Sequence, residues 1–202
     1  MNRIAKRHEQ TRNMVLVAIL AALVVVFQVV STFIKIGPVS ITLTLIPVVL
    51  GGCLLGKKWG AILGFLFGVV VTVFVLNGTD VGGYMLFQAN PALTVLLCLG
   101  KGTVAGFVAS LVYKLLEKVN RTAAVTVAAM SAPVVNTGIF VVAMLLFYRD
   151  TLTSWAGGAD VATYILTGLA GINFLVEFAV SAILSPTVVA VLRATGKKQK
   201  NK

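Results

Sequence analysis

Long apolar stretches separated by short polar segments run along most of the sequence. Those long enough to span a membrane as a helix lie at about 14–34, 40–56, 60–77, 91–116, 123–148 and 163–192. In lipid, an open segment of this length satisfies its backbone hydrogen bonds internally only as a helix. The pattern therefore predicts an all-α membrane protein, a bundle of six transmembrane helices.

The composition supports one integral membrane domain without a soluble part. Of 202 residues, 58% are hydrophobic and only 11% are charged, which is typical of a multi-pass membrane protein. We expect a single domain over 1–202, with basic tails at 1–13 and 194–202.

The basic residues cluster at alternate ends of the predicted helices. The net charge of +11 would suggest nucleic-acid binding in a soluble protein, but here the charges follow a topology. They lie before the first helix, after the sixth, and in the loops that carry Lys57–Lys58 and Lys114–Arg121. The remaining loops hold only Lys35 and Arg149 beside three aspartates. The positive-inside rule then places both termini in the cytoplasm.

Small residues form two ridges. Ala18 and Ala22 lie one turn apart on the first helix, where they allow another helix to approach closely, either inside the bundle or from a partner. Gly60, Gly64 and Gly68 repeat the same spacing on the third helix, which indicates helix packing.

The segment 88–102 carries the least expected charge. Asn90, Thr94 and Lys101 lie near one face of a helix that begins at Pro91, and Lys101 lies about 15 Å along it. A lysine at that depth costs at least ~2.5 kcal/mol on insertion scales unless it meets a partner or a wet cavity. Lys101 is therefore either a structural ion-pair partner or a ligand-binding residue.

The last two predicted helices bring further polar groups into the membrane. Asn136 follows Pro133 on the fifth, and Asn173 and Glu177 are four positions apart on the sixth. Glu177 is the one acidic residue inside a predicted span, so it is the natural partner of Lys101. Two glycine-containing loops, with Tyr84 in the first, could cover a ligand or form an aromatic belt. Together these groups predict a pocket for a small polar ligand that enters from outside.

Several other classes of protein find little support. The one histidine, His8, lies in the tail, and Cys53 and Cys98 have no metal or disulfide spacing, so an intramembrane enzyme lacks its usual groups. No Walker A sequence is present, so we expect the chain to use no ATP itself. A proton-coupled carrier stays open, because Lys101 and Glu177 could relay protons.

The sequence resembles the substrate-binding S components of energy-coupling factor (ECF) vitamin transporters. The resemblance covers essentially the whole chain. Ala18-x-x-x-Ala22 is similar to their alanine docking motif, and Gly37-Pro-Val-Ser-Ile-Thr-Leu with Leu-Gly-Gly-Cys-Leu-Leu-Gly-Lys-Lys-Trp-Gly resembles their first-loop and second-helix region. Asn90-Pro, Lys101-Gly and Pro133-x-x-Asn136-Thr-Gly look most like the pantothenate type.

The resemblance implies a mechanism and partners. A bacterial plasma-membrane subunit of this type binds its vitamin with high affinity and docks through Ala18 and Ala22 on a coupling protein that two cytoplasmic ATPases drive. It needs no cofactor, since only the ATPases use ATP. The ligand-binding candidates are Asn90, Thr94, Lys101, Asn136, Asn173, Glu177 and Tyr84. Pantothenate is the expected vitamin; biotin, riboflavin, folate and the pyrimidine moiety of thiamine are the alternatives.

Overall fold

A computed structural model describes residues 2–36, 39–40, 42–169 and 171–196. It describes no side chains at 1–6, 9, 35–41, 169–170, 172–173 and 193–202. These ranges are almost entirely helical. The α-helices are α1 Asn2–Ser31, α2 Leu45–Leu55, α3 Lys57–Leu76, α4 Val81–Ala89, α5 Pro91–Leu116, α6 Arg121–Phe147, α7 Arg149–Ala156, α8 Val161–Tyr164 and α9 Gly171–Gly196. A π-helical segment, Ile165–Leu169, joins α8 to the region of α9.

Helices long and apolar enough to cross a membrane match most of the predicted spans. They are Gln10–Ser31, Lys57–Leu76, Pro91–Leu116, Arg121–Phe147 and Phe174–Leu192, five in the part of the chain that the structure describes. The segment expected to form a span at 40–56 contains the apolar helix α2, which has 11 residues. At 1.5 Å per residue α2 is about 16 Å long, roughly half of a hydrocarbon core.

The glycine ridge is a packing surface, as the sequence predicts, and the helix that it contacts is α5. A Cβ at Gly64 would overlap the carbonyl of Gly102, and a Cβ at Gly68 would lie 2.6 Å from the carbonyl oxygen of Cys98. Only glycine lets the two backbones approach this closely. Beyond this pair, α5 also packs on α6, α6 packs on α9, and α1 packs on α2 and α3.

Two segments expected to be loops are short helices. The prediction of loops at 77–90 and 149–160 is wrong for α4 and α7, which occupy most of these segments. The side chain of Asp80 caps α4 by accepting a hydrogen bond from Gly83 N at 3.0 Å, and Asn90 caps α5 by accepting one from Leu93 N at 3.1 Å. The Asp80 cap stabilises α4, which with 9 residues is too short to be stable alone.

Two short strands lie between α1 and α2. Strand β1, Lys35–Ile36, pairs antiparallel with β2, Val39–Ser40; the turn that Gly37-Pro38 predicts lies outside the described residues. The alternation of Ser40, Thr42 and Thr44 with apolar residues predicts an extended entry to α2, but Thr44 already has helical backbone angles as the N-cap of α2. The segment before α2 is fixed to α1, because Thr44 Oγ1 donates to Gln28 Oε1 at 2.8 Å and Leu43 N donates to Ser31 Oγ at 3.1 Å. These bonds satisfy polar groups that are buried in the bundle.

Candidate functional site

A small cavity lies where α4 and α7 meet α3, α5 and α6. It is called the Lys101 cavity here, and its lining comprises Val71, Val75, Asp80, Gly82, Gly83, Leu86, Thr94, Leu97, Cys98, Lys101, Phe140 and Trp155. Its volume is about 40 Å³, which holds roughly three water molecules. Any ligand larger than this needs α4 or α7 to move before it can enter.

Lys101 is half-buried and faces α6. Its Nζ lies 5.1 Å from the centre of the Phe140 ring, a distance at which the ring face attracts a cation. The ring does not accept the three N–H bonds that an ammonium group can donate. Lys101 therefore keeps donors available to an anionic group inside the cavity.

Thr94 is held by its neighbours. The side chain is buried; its Oγ1 donates to Asn90 O at 2.8 Å and lies 2.7 Å from the Tyr148 hydroxyl. Burial raises the pKa of the Tyr148 phenol above its ordinary value, so the phenol is neutral at physiological pH. The exposed Asn90 side chain caps α5. Two of the predicted ligand residues thus have structural contacts already.

Glu177 does not meet Lys101. Its carboxylate Oε1 accepts a hydrogen bond from Thr42 N at 2.7 Å, and Oε2 is buried without a hydrogen-bond partner. The expected ion pair between Lys101 and Glu177 is therefore not formed in the described part of the chain. Instead, Glu177 fixes the extended segment before α2 to α9.

The registers of the antiparallel helices explain this difference. Lys101 lies beside Phe140 on α6, whereas the contact of Thr126 with Ser185, at 3.2 Å, fixes α9 against α6. Because α9 runs antiparallel to α6, Glu177, which precedes Ser185 on α9, lies level with about residue 134 of α6. The two charges are thus separated by about six residues, or about 9 Å along the bundle.

Asn136 is buried near the level of Glu177. Its Oδ1, like Glu177 Oε2, has no hydrogen-bond partner among the residues that the structure describes. Buried polar atoms without a partner are rare in native proteins, and each costs about 1–3 kcal/mol. Asn136 and Glu177 are therefore the described residues of α6 and α9 that are each still able to accept from a donor.

We predict that Glu177→Leu lowers stability, while Glu177→Gln preserves it. Leucine removes the acceptor of the Thr42 N–H and should cost about 1–3 kcal/mol. Glutamine keeps an acceptor oxygen for the Thr42 N–H and has nearly the same shape. Thermal unfolding in detergent tests this, and a glutamine variant as unstable as the leucine variant would show that the negative charge itself is needed.

The remaining predicted residues are distributed around the bundle. Tyr84 is 39% exposed on α4, beside the cavity but not part of its lining. Asn173 lies on α9, and its side chain is outside the description. Ala18 and Ala22 are both exposed on α1, as docking to a partner requires.

A second, larger space lies on the surface between α5 and α6. This groove has a volume of about 460 Å³ and is lined by Leu93, Leu96, Leu97, Gly100, Lys101, Val104, Gly138, Ile139, Val142, Ala143 and Phe147. Apart from Lys101 its lining is apolar, which suits lipid chains better than a polar vitamin.

Sequence reasoning missed three residues of the site. Phe140 and Tyr148 contact Lys101 and Thr94 only through the packing of α6 on α5, so no local pattern identified them. Asp80 had a local signal, since aspartate is a preferred N-cap residue and accepts from a backbone N–H of the first helical turn, here that of Gly83.

Fold and site define the class of protein: a multi-pass cell-membrane protein with a small polar cavity at one end of a helical bundle. The chain belongs to the family of ECF transporter substrate-specific components, whose model matches residues 12–189. It is also 25% identical over 197 residues to the pantothenic acid transporter PanT of Lactococcus lactis subsp. cremoris (strain MG1363), covering 92% of this chain and 96% of that protein. The family is a component of transporters and not a family of enzymes.

Proposed function

We propose that this chain captures pantothenate as the substrate-binding subunit of an ECF importer. The observation that carries the proposal is Lys101, a cation that lines a cavity beneath α4 and α7 and has N–H donors left over from its contact with the Phe140 ring, so a carboxylate that enters the cavity can accept from it. The family match and the similarity to a pantothenic acid transporter support the choice of an acidic vitamin. Asn136, Asn173 and Glu177 then bind the donor groups of the same molecule.

The proposal includes partners and mechanism. A coupling protein and two cytoplasmic ATPases supply the energy, and this subunit itself carries no cofactor. Family membership supports an association with such a module. The contact of Trp155 Nε1 with Met85 Sδ, at 3.3 Å, joins α7 to α4 beside the Lys101 cavity. Ligand entry breaks this contact first.

Native mass spectrometry of freshly purified protein, followed by calorimetric titration, tests the proposal. We expect pantothenate to co-purify or to bind tightly, without any requirement for a sodium or proton gradient. Binding of biotin, riboflavin or folate in its place would overturn the choice of vitamin. Transport that depends on a gradient and not on ATPases would overturn the class.

The proposal also fixes a topology of six membrane segments, with both termini and the basic loops in the cytoplasm. It rests on the charge asymmetry. In a background with Cys53 and Cys98 replaced by alanine, Ser154→Cys should react with an impermeant maleimide on intact cells. Lys118→Cys should react only after the membrane is permeabilised; the reverse pattern would contradict the topology.

A further inference from the structure

Asp80 brings a carboxylate to the same cavity as Lys101. It is half-buried, and its Oδ1 caps α4 through the 3.0 Å hydrogen bond from Gly83 N. Its Oδ2 makes no hydrogen bond to any residue that the structure describes, and it lies 3.4 Å from the position of a Cβ on Gly83, another residue of the lining. One oxygen therefore supports the helix while the other remains available.

Capping α4 does not require a negatively charged side chain at Asp80. Asparagine caps a helix as well as aspartate does, whereas a carboxylate beside Val75 and Leu86 loses hydration. The two rings of the lining, Phe140 and Trp155, make the surroundings still less polar. In such a site an acceptor charge interacts strongly with any donor that enters.

We infer that Asp80 is a specificity residue, which accepts a hydrogen bond from a hydroxyl or N–H group of the vitamin while Lys101 binds its carboxylate. The inference rests on the proposed function. A cation and a carboxylate lining one cavity suit a monocarboxylic acid whose donor group lies away from its acid group. The same carboxylate repels a second acid group, so dicarboxylates such as folate are rejected.

Asp160 provides a matched control. It caps α8 as Asp80 caps α4, with Oδ2 accepting from Thr163 N at 3.0 Å, but it is exposed and lies outside the lining. Asp80→Asn and Asp160→Asn thus make the same change at two caps, and only the first removes a charge from the cavity. Thermal unfolding of both variants reports any loss of capping.

The test titrates pantothenate and biotin into wild-type protein, Asp80→Asn and Asp160→Asn. Both are monocarboxylic acids, with hydroxyl and N–H donors respectively. We expect Asp80→Asn to raise Kd about tenfold or more for whichever acid the wild type binds, and Asp160→Asn to leave it unchanged. This result with biotin alone would support Asp80 and overturn the choice of pantothenate.

The other outcomes are also decisive. An unchanged Kd in Asp80→Asn would overturn the role of Asp80 and leave the proposed function standing. Equal losses of affinity in both variants would assign the effect to capping and also overturn it. Binding of neither acid by the wild type would overturn both proposals.

Discussion

Replacing Lys101 by methionine is expected to weaken pantothenate binding by about 100-fold or more. Methionine has a similar length and keeps the apolar contacts with Phe140 and the α5–α6 surface, so the variant loses the charge and little volume. A carboxylate that enters the cavity then loses a charge-assisted hydrogen bond in surroundings with little water. Removing one partner of such a pair costs about 2–5 kcal/mol, which corresponds to a factor of about 30 to several thousand in Kd.

Lys57 is the control for this prediction. Its Nζ also lies near an aromatic ring, 6.0 Å from the centre of Phe107, but the residue is exposed and far from the cavity lining. Lys57→Met should bind pantothenate as the wild type does. Calorimetric titration of both variants shows whether the loss of any lysine charge weakens binding, or only the loss of the charge at Lys101.

The double variant Lys101→Met with Glu177→Gln separates binding from structure. If the two charges acted only as a pair, the double variant would be milder than either single change and would bind normally. Because Lys101 and Glu177 lie about 9 Å apart along α6, we expect instead that the loss of Lys101 accounts for most of the loss of affinity. Near-native affinity in the double variant would show that Lys101 has no role in binding.

The long helices could be predicted from the sequence, and the short ones could not. Apolar length predicted the five long helices, and the glycine spacing predicted that α3 packs closely on another helix, because both signals are local; the identity of that helix, α5, is a long-range property that the spacing does not contain. The short helices α4 and α7 could not be predicted from apolar length. Asp80 caps α4, and a contact between Trp155 and Met85 joins α7 to α4, so both depend on contacts that apolar length does not report.

The ion pair was mispredicted for a different reason. Depth along each helix was estimated from its own end, which treats all helices as if they began at one level. The observed levels depend on the side-chain contacts of Thr94 with Tyr148 and of Thr126 with Ser185. Such long-range registers have no signature in a single sequence.

Polarity in a membrane helix does not by itself separate ligand contacts from structural contacts. Thr94 and Asn90, predicted to bind the ligand because lipid cannot satisfy them, also make a buried hydroxyl pair and a helix cap, and their role in binding stays a prediction. Among the described residues, Asn136 and Glu177 each keep a buried acceptor without a partner. The orphaned atoms, more than polarity alone, distinguish the candidate binding residues.

One face of α1 packs against the bundle, and the opposite face is exposed. Leu20, Val24 and Gln28 are buried against the neighbouring helices, while Ala18 and Ala22 are exposed on the opposite side. Exposed alanines one turn apart present a flat strip of backbone to the membrane. This is the surface that close helix–helix contacts in lipid use.

We therefore expect Ala18→Trp with Ala22→Trp to abolish uptake while leaving ligand binding within about twofold of wild type. Two indoles hold a partner helix away from the backbone, and the packing and hydrogen bonds that drive association in lipid are lost with distance. The isolated subunit should be unaffected, since neither position contributes to its core. Calorimetry measures binding, and cells that also express the coupling protein and ATPases measure uptake of labelled pantothenate.

Val127→Trp with Val134→Trp is the matched control, because both valines are exposed on α6, away from α1. This variant adds similar bulk to the lipid-facing surface and should transport normally. Co-purification with the coupling protein should be lost only for the α1 variant. Collapse of binding in the α1 variant would instead show that the alanines pack within the bundle. Loss of uptake in both variants would mean that bulk on any outer face impairs transport, and the docking role of Ala18 and Ala22 would be wrong.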